Sequence, residues 1–237
     1  MASPKRHERL LIGLGTGRCG TVSLATLLAS QDGATIMHEA NSDEFSFNGK
    51  WLPWAQGELA NELSFERTGI AEFLSAMPVG EKFTGDVGFY YLPWVRAIAE
   101  LWPNVRFICM ERERNITVES LVWKAERGNR NPWMEHDGTR WRHHPGDIVH
   151  PKFDGATGVE DACGRYWDHY AARSRELAQL LPGRFAVVPI ESLNEAEGVK
   201  WILDYCGFEN PKIIGPLRLN SRASYGLDKE ASCQPSN

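Results

Sequence analysis

Three groups of residues in this 237-residue chain have the types and spacing to bind an anion and to place a general base near it. The first is Gly15-Thr16-Gly17-Arg18-Cys19-Gly20-Thr21-Val22-Ser23. Its glycines permit a tight turn and close backbone approach to a ligand. Arg18 adds a permanent charge, Thr21 and Ser23 add hydroxyls, and a helix opening here would present free N–H groups and a partial positive charge to phosphate or sulfate. Cys19 is either a reactive thiol in that loop or a small filler. The second group is Glu111-Arg112-Glu113-Arg114 with Ser120, which follows Arg112 by eight residues. An arginine at a strand end and a serine two helical turns inward can converge on one phosphate, and Arg114 is the alternative arginine. The third is His38-Glu39, an imidazole and a carboxylate, either of which suits a general base. Consecutive side chains on a strand point to opposite faces, so only one of the two is expected to face a substrate. Asp86 is a further candidate, with capping of the turn after it as its alternative role.

These residues need elements to hold them. Arg9–Leu14 reads as a strand covered on both faces, and Thr21–Ser30 as a helix with Val22, Leu24, Leu27 and Leu28 on its apolar side. Ala34–Met37 reads as a second strand ending at His38-Glu39, and Lys82-Phe83-Thr84 enters a third. Helical segments are expected over Leu59–Ala76 and over Tyr90–Leu101, the latter closed by Pro103. Val105–Met110 is a fourth strand leading into a helix at Ile116–Glu126. Val159–Leu181 reads as a long helix and Phe185–Ile190 as a last strand. Asn194 with Glu197 fits a capping box opening a helix over Glu195–Cys206, stopped by Gly207. Strands alternating with helices imply a parallel sheet with helices on both faces, whose ligands bind beyond the strands' carboxyl ends. That rule sets Gly15–Ser23, His38-Glu39, Asp86 and Arg112 on one rim. The stretch from about 128 to 158 lacks periodicity and is expected to be a long substrate-side loop, with a flexible tail from about 217.

The first loop admits three readings. Gly15-x-Gly17-x-x-Gly20 fits a dinucleotide fingerprint, with Glu39 following Gly15 by 24 residues as its ribose ligand. A nucleotide triphosphatase loop fails at Thr21, which stands where a lysine is required. Third, Arg18-Cys19-Gly20-Thr21-Val22 resembles the basic-x-Gly-Thr-x core of sulfotransferases that use 3′-phosphoadenosine 5′-phosphosulfate (PAPS). Arg112 and Ser120 have the spacing of that family's second motif, with Arg114 where a proline is often found. Gly85-Asp86-Val87-Gly88-Phe89-Tyr90-Tyr91-Leu92-Pro93 and Ile190-Glu191-Ser192-Leu193 add weaker likeness. The similarity runs with gaps from about Leu10 to Phe208 and is greatest to bacterial and marine-type enzymes related to the glycosaminoglycan group.

The resemblance implies a P-loop-like, three-layer α/β sandwich forming a single sulfotransferase domain over residues 1–237. It implies a metal-free transfer of sulfonate from PAPS to an acceptor hydroxyl, leaving 3′-phosphoadenosine 5′-phosphate (PAP). Gly17, Arg18, Cys19, Gly20, Thr21, Val22 and Ser23 would hold the 5′-phosphosulfate, and Arg18 would also stabilise charge on the group in transit. Arg112 and Ser120 would hold the 3′-phosphate, with Arg222 closing over it. Glu39 would be the base, with His38 as the alternative, and Asp86, Tyr91 and Trp133 would face the acceptor. The alternatives are an NAD(P)-dependent oxidoreductase and a nucleotide-binding module without turnover.

Composition narrows the class. The net charge of −5 disfavours a general nucleic-acid binder. No apolar run approaches a bilayer span, and the basic start has no signal-peptide core. The five scattered cysteines form no CxxC pair and read as reduced thiols of a cytoplasmic protein. His136, His143, His144 and His150 match no common zinc spacing. The expected partner is a small-molecule, carbohydrate or lipid acceptor bearing a hydroxyl; neither its identity nor the oligomeric state is legible.

Overall fold

A computed structural model describes residues 9–40, 69–78, 82–126, 153 and 155–215. The expected loop before 153, the tail from 217, Trp133, Arg222 and the four loop histidines lie outside these residues.

Five parallel strands form one sheet: β1 (Arg9–Leu14), β2 (Ala34–His38), β3 (Phe83–Val87), β4 (Arg106–Glu111) and β5 (Phe185–Pro189). Their spatial order is β2-β3-β1-β4-β5, so β1 is central, paired with β3 on one side and β4 on the other. The apolar run of β1 follows from this position. Leu10, Ile12 and Leu14 join the core on one face of the sheet while Leu11 joins the core on the other. A strand buried on both faces has no polar side to alternate with.

The helices divide between those faces. Helix α1 (Thr21–Ala29) and helix α6 (Ala196–Cys206) enclose one core through Leu24, Leu27, Leu28, Val199, Ile202 and Leu203. Helices α2 (Ile70–Ala76), α3 (Val95–Leu101), α4 (Arg114–Glu126) and α5 (Val159–Leu180) enclose the other. There Ile70, Ile98, Leu121 and Tyr166 pack against the alternate side of β1. The expected α/β architecture is therefore present, with helices on both faces of a parallel sheet.

Local departures have local causes. The expected Tyr90–Leu101 helix is divided into a 3₁₀ stretch at Phe89–Trp94 and α3, because Pro93 removes one backbone donor from the run. Helix α4 begins at Arg114, two residues before the expected start. Glu113 makes this possible by accepting the N–H groups of Asn115 and Ile116 at 2.9 and 2.8 Å, and those bonds lower its carboxyl pKa. The capping box at Asn194 does not form. Asn194 ends a 3₁₀ turn (Ile190–Asn194), the cap position falls on Glu195, and no side chain caps α6. Gly207 does end α6 in the left-handed conformation, at φ 92°.

Candidate active site

The loop between β1 and α1 is built around its backbone. Gly20 takes φ 91° immediately before α1, a value costly for a side-chain-bearing residue, so the chain turns directly into the helix. A Cβ on Gly15 would stand 2.2 Å from the Cys19 Sγ, so the loop closes only over a glycine. Cys19 itself is 1% exposed, and burial raises its thiol pKa to about 11. This is the filler role, and it leaves the thiol protonated near neutral pH. The Gly15 N–H donates to the Tyr170 hydroxyl at 3.0 Å, and that hydroxyl donates to the Phe89 carbonyl at 3.2 Å. Tyr170 thus holds the loop from α5. Tyr166 and Tyr170, one helical turn apart on α5, are both buried. The signal for Tyr170 was its hydroxyl, since a buried tyrosine generally finds a polar partner.

The second motif closes on the first. The Arg18 Nε donates to the Ser120 Oγ at 3.0 Å, although the residues are 102 positions apart. An Arg112 guanidinium nitrogen donates to the Arg18 carbonyl at 3.1 Å, and the Arg112 carbonyl accepts the Trp167 indole N–H at 3.1 Å. Arg114 is used differently. Its guanidinium makes two 2.8 Å bonds to Asp168 on α5. Of the two arginines, Arg112 faces the loop.

His38 and Glu39 stand at the carboxyl end of β2, both partly exposed. The expectation that they point to opposite faces is overturned. His38 Nε2 and Glu39 Oε1 are 3.9 Å apart, because Glu39 has left the strand and adopts φ 48°. The alternation rule holds only for extended backbone. His38 Nε2 also shares a 3.3 Å hydrogen bond with the Thr21 hydroxyl at the start of α1. Glu39 and Arg18 are two of the three non-glycine residues with positive φ among those described. Such conformations cost about 1–3 kcal/mol each and cluster at functional sites.

Asp86 and Tyr91 lie beneath the rim rather than on it. Both are fully buried. One Asp86 oxygen accepts the Tyr90 and Tyr91 hydroxyls at 2.6 and 2.8 Å, and the other accepts the Ala40 N–H at 3.4 Å. Burial, followed by the neighbouring Tyr90 and Asp86, raises the Tyr91 phenol pKa. Together with the Glu39 N–H bond to the Val87 carbonyl at 2.9 Å, this network anchors the turn that carries Glu39. Among the described residues no group of three metal-ligating side chains converges, and no helix is long and apolar enough to cross a membrane.

The dinucleotide reading of the loop requires the second strand of the unit to lie beside the first. Here β3 separates β1 from β2, so Glu39 is not where a ribose ligand would stand.

Comparison with solved structures agrees on the fold. The chain is similar to a sulfotransferase from Alicyclobacillus acidocaldarius, with a TM-score of 0.55 and 15% identity over 96% of this chain and 90% of that one. It also matches the sulfotransferase domain of the Synechococcus PCC 7002 olefin synthase, at a TM-score of 0.45 and 12% identity over 98% of this chain and 90% of that one. No family model matches the sequence, and no curated protein matches it. The chain has the α/β fold of a sulfotransferase, with its candidate site at the carboxyl ends of β1, β2 and β4.

Proposed function

We propose that this protein is a sulfotransferase that moves a sulfonate group from PAPS to an acceptor hydroxyl. The observation that carries the reading is the junction of Arg18, Ser120 and Arg112. Two distant segments, matched to the family's 5′-phosphosulfate and 3′-phosphate motifs, meet through these three side chains. A bisphosphate donor fits such a junction, because two arginines and the start of α1 offer cationic and N–H groups around one small volume.

Bound here, PAPS would supply the activated sulfonate. The residues of this chain would do the rest. Gly17, Arg18, Cys19, Gly20, Thr21, Val22 and Ser23 would offer backbone N–H groups, hydroxyls and one guanidinium to the 5′ side. Arg112 and Ser120 would bind the 3′-phosphate, with Arg222 as a further ligand. Glu39 would accept the proton of the acceptor hydroxyl. His38, bonded to Thr21, would hold the loop against the end of β2. Trp133 remains a proposed acceptor contact. Asp86 and Tyr91 would act on the acceptor by anchoring the Glu39 turn. The product would be PAP, and no metal would be needed. Residues 1–237 would work as one domain on a small-molecule, carbohydrate or lipid alcohol, in the cytoplasm.

The test is transfer of labelled sulfonate from PAPS to a panel of sugar, lipid and phenolic alcohols. Wild type should label at least one acceptor. Glu39→Gln should lower kcat by about 100-fold or more while leaving PAP affinity intact, as expected when a general base is removed. Turnover unchanged in Glu39→Gln would exclude Glu39 as the base. PAP binding without transfer to any acceptor would favour a nucleotide-binding module.

A further inference from the structure

One face of α5 gathers on the two donor motifs. Trp167, Tyr170 and Ser174 follow one another at the spacing of a single helix face. Tyr170 receives the Gly15 N–H after β1, and the Ser174 hydroxyl lies 3.2 Å from the Cys109 thiol on β4. Trp167 reaches the carbonyl of Arg112, the residue that follows β4. Arg112 is also the residue whose guanidinium bonds the Arg18 carbonyl in the anion loop.

That Arg112 carbonyl needs a donor from outside its own helix. A helical N–H bonds the carbonyl four residues before it, so Ile116 would ordinarily serve Arg112. Here the Ile116 N–H goes to the Glu113 carboxylate at 2.8 Å. The Thr117 hydroxyl lies 3.4 Å from the Arg112 carbonyl but 2.8 Å from that of Glu113. The Trp167 indole N–H, at 3.1 Å, is the closer donor to Arg112.

Trp167 is held in turn. It packs partly buried against the core, with the Arg175 guanidinium 5.9 Å from its ring centroid. Arg175 bonds the Glu111 carboxylate at the end of β4 at 2.9 Å. On the other side of Arg112, Arg114 makes its two bonds to Asp168, and Gly164 leaves room for it: a Cβ there would stand 2.7 Å from the Arg114 guanidinium. Glu111, Arg112 and Arg114 are thus each tied to α5. A partly buried indole N–H generally finds some polar partner. The partner here is the peptide carbonyl from which the Arg112 side chain departs, so the bond fixes the direction of that side chain.

We propose that Trp167 is a positioning residue of the donor site, whose indole N–H fixes the Arg112 backbone so that the guanidinium faces the anion loop and the 3′-phosphate bound there. This rests on the sulfotransferase reading and deepens it, because the resemblance supplies Arg112 but not what aims it. Trp167 itself touches no part of the donor.

Calorimetric titration with PAP and with adenosine 5′-phosphate tests this, because the two differ by the 3′-phosphate. Trp167→Phe keeps an aromatic ring and removes the N–H. It should weaken PAP binding about fivefold, the loss expected for one hydrogen bond, and leave adenosine 5′-phosphate binding unchanged. In an Arg112→Ala background the same change should have no further effect on PAP, because the side chain it aims is gone. Unchanged PAP affinity in Trp167→Phe, equal losses for both nucleotides, or the same fivefold loss in the Arg112→Ala background would overturn the proposal. The last two results would mark a general structural role. If Trp167→Phe does not fold, Trp167→Met gives the same comparison. Wild type binding neither nucleotide would instead refute the sulfotransferase reading itself.

Discussion

Glu39 shows how one backbone angle changes what a residue can do. Its sequence position at a strand end is legible, and strand alternation then assigns it and His38 to opposite faces. The left-handed turn at φ 48° cancels that inference and brings the two side chains to 3.9 Å. Nothing local in the sequence announces such a turn, because glutamate rarely adopts it; the bonds from Val87 and Asp86 impose it from another strand. Cys19 illustrates the opposite case, in which the residue type suggested either reactivity or filling and burial decides for filling. With its thiol pKa at about 11, only about one molecule in a thousand or fewer carries the thiolate at pH 7.5. Iodoacetamide at that pH should leave Cys19 unmodified in the native protein and alkylate it after denaturation, as read by peptide mass mapping. Rapid native labelling of Cys19 would mean that the loop opens or that the thiol is activated.

At the scale of elements, apolar runs and start and stop residues located every described strand and most helices. The two-sided burial of β1, the stop at Gly207 and the entry of β2 into His38 were all readable, since each depends on nearby residues. Two misreadings have local causes, and the third a longer-range one. Glu113 extends α4 toward β4, and Asn194 is drawn into a 3₁₀ turn that leaves the cap to Glu195. Asp86 looked like a rim residue because it is acidic and near a strand end. Its carboxylate is instead the common acceptor of two tyrosine hydroxyls and the Ala40 N–H beneath the Glu39 turn. Asp86→Ala should therefore lower stability by about 3 kcal/mol in urea denaturation, because it strands buried donors. Tyr91→Phe, which removes one donor and leaves Asp86 its other partners, should cost about 1 kcal/mol. Near-equal stability of Asp86→Ala and wild type would show that the network does not anchor that turn.

For the whole molecule, the class of fold was legible but the strand order was not. Helix and strand alternation predicts a parallel sheet, yet the same alternation is compatible with β2 beside β1 or with β3 between them. The difference matters chemically. In the observed order Glu39 lies two strands from the loop after β1. Under the proposed function this arrangement would separate a donor side at Arg18, Ser120 and Arg112 from an acceptor side at Glu39. The likeness to the Alicyclobacillus acidocaldarius sulfotransferase, at 15% identity, concerns this architecture rather than individual residues. The residue assignments rest instead on two short motifs, and the contact between Arg18 and Ser120 is where they meet.

Equilibrium binding of PAP, measured by calorimetry beside adenosine 5′-phosphate and NADH, tests that junction most directly. Wild type should bind PAP selectively, with affinity weakened at least tenfold by Arg112→Ala, while adenosine 5′-phosphate, which lacks the 3′-phosphate, binds weakly and equally to both proteins. Binding of NADH with indifference to PAP, or PAP binding untouched by Arg112→Ala, would contradict the proposed donor site.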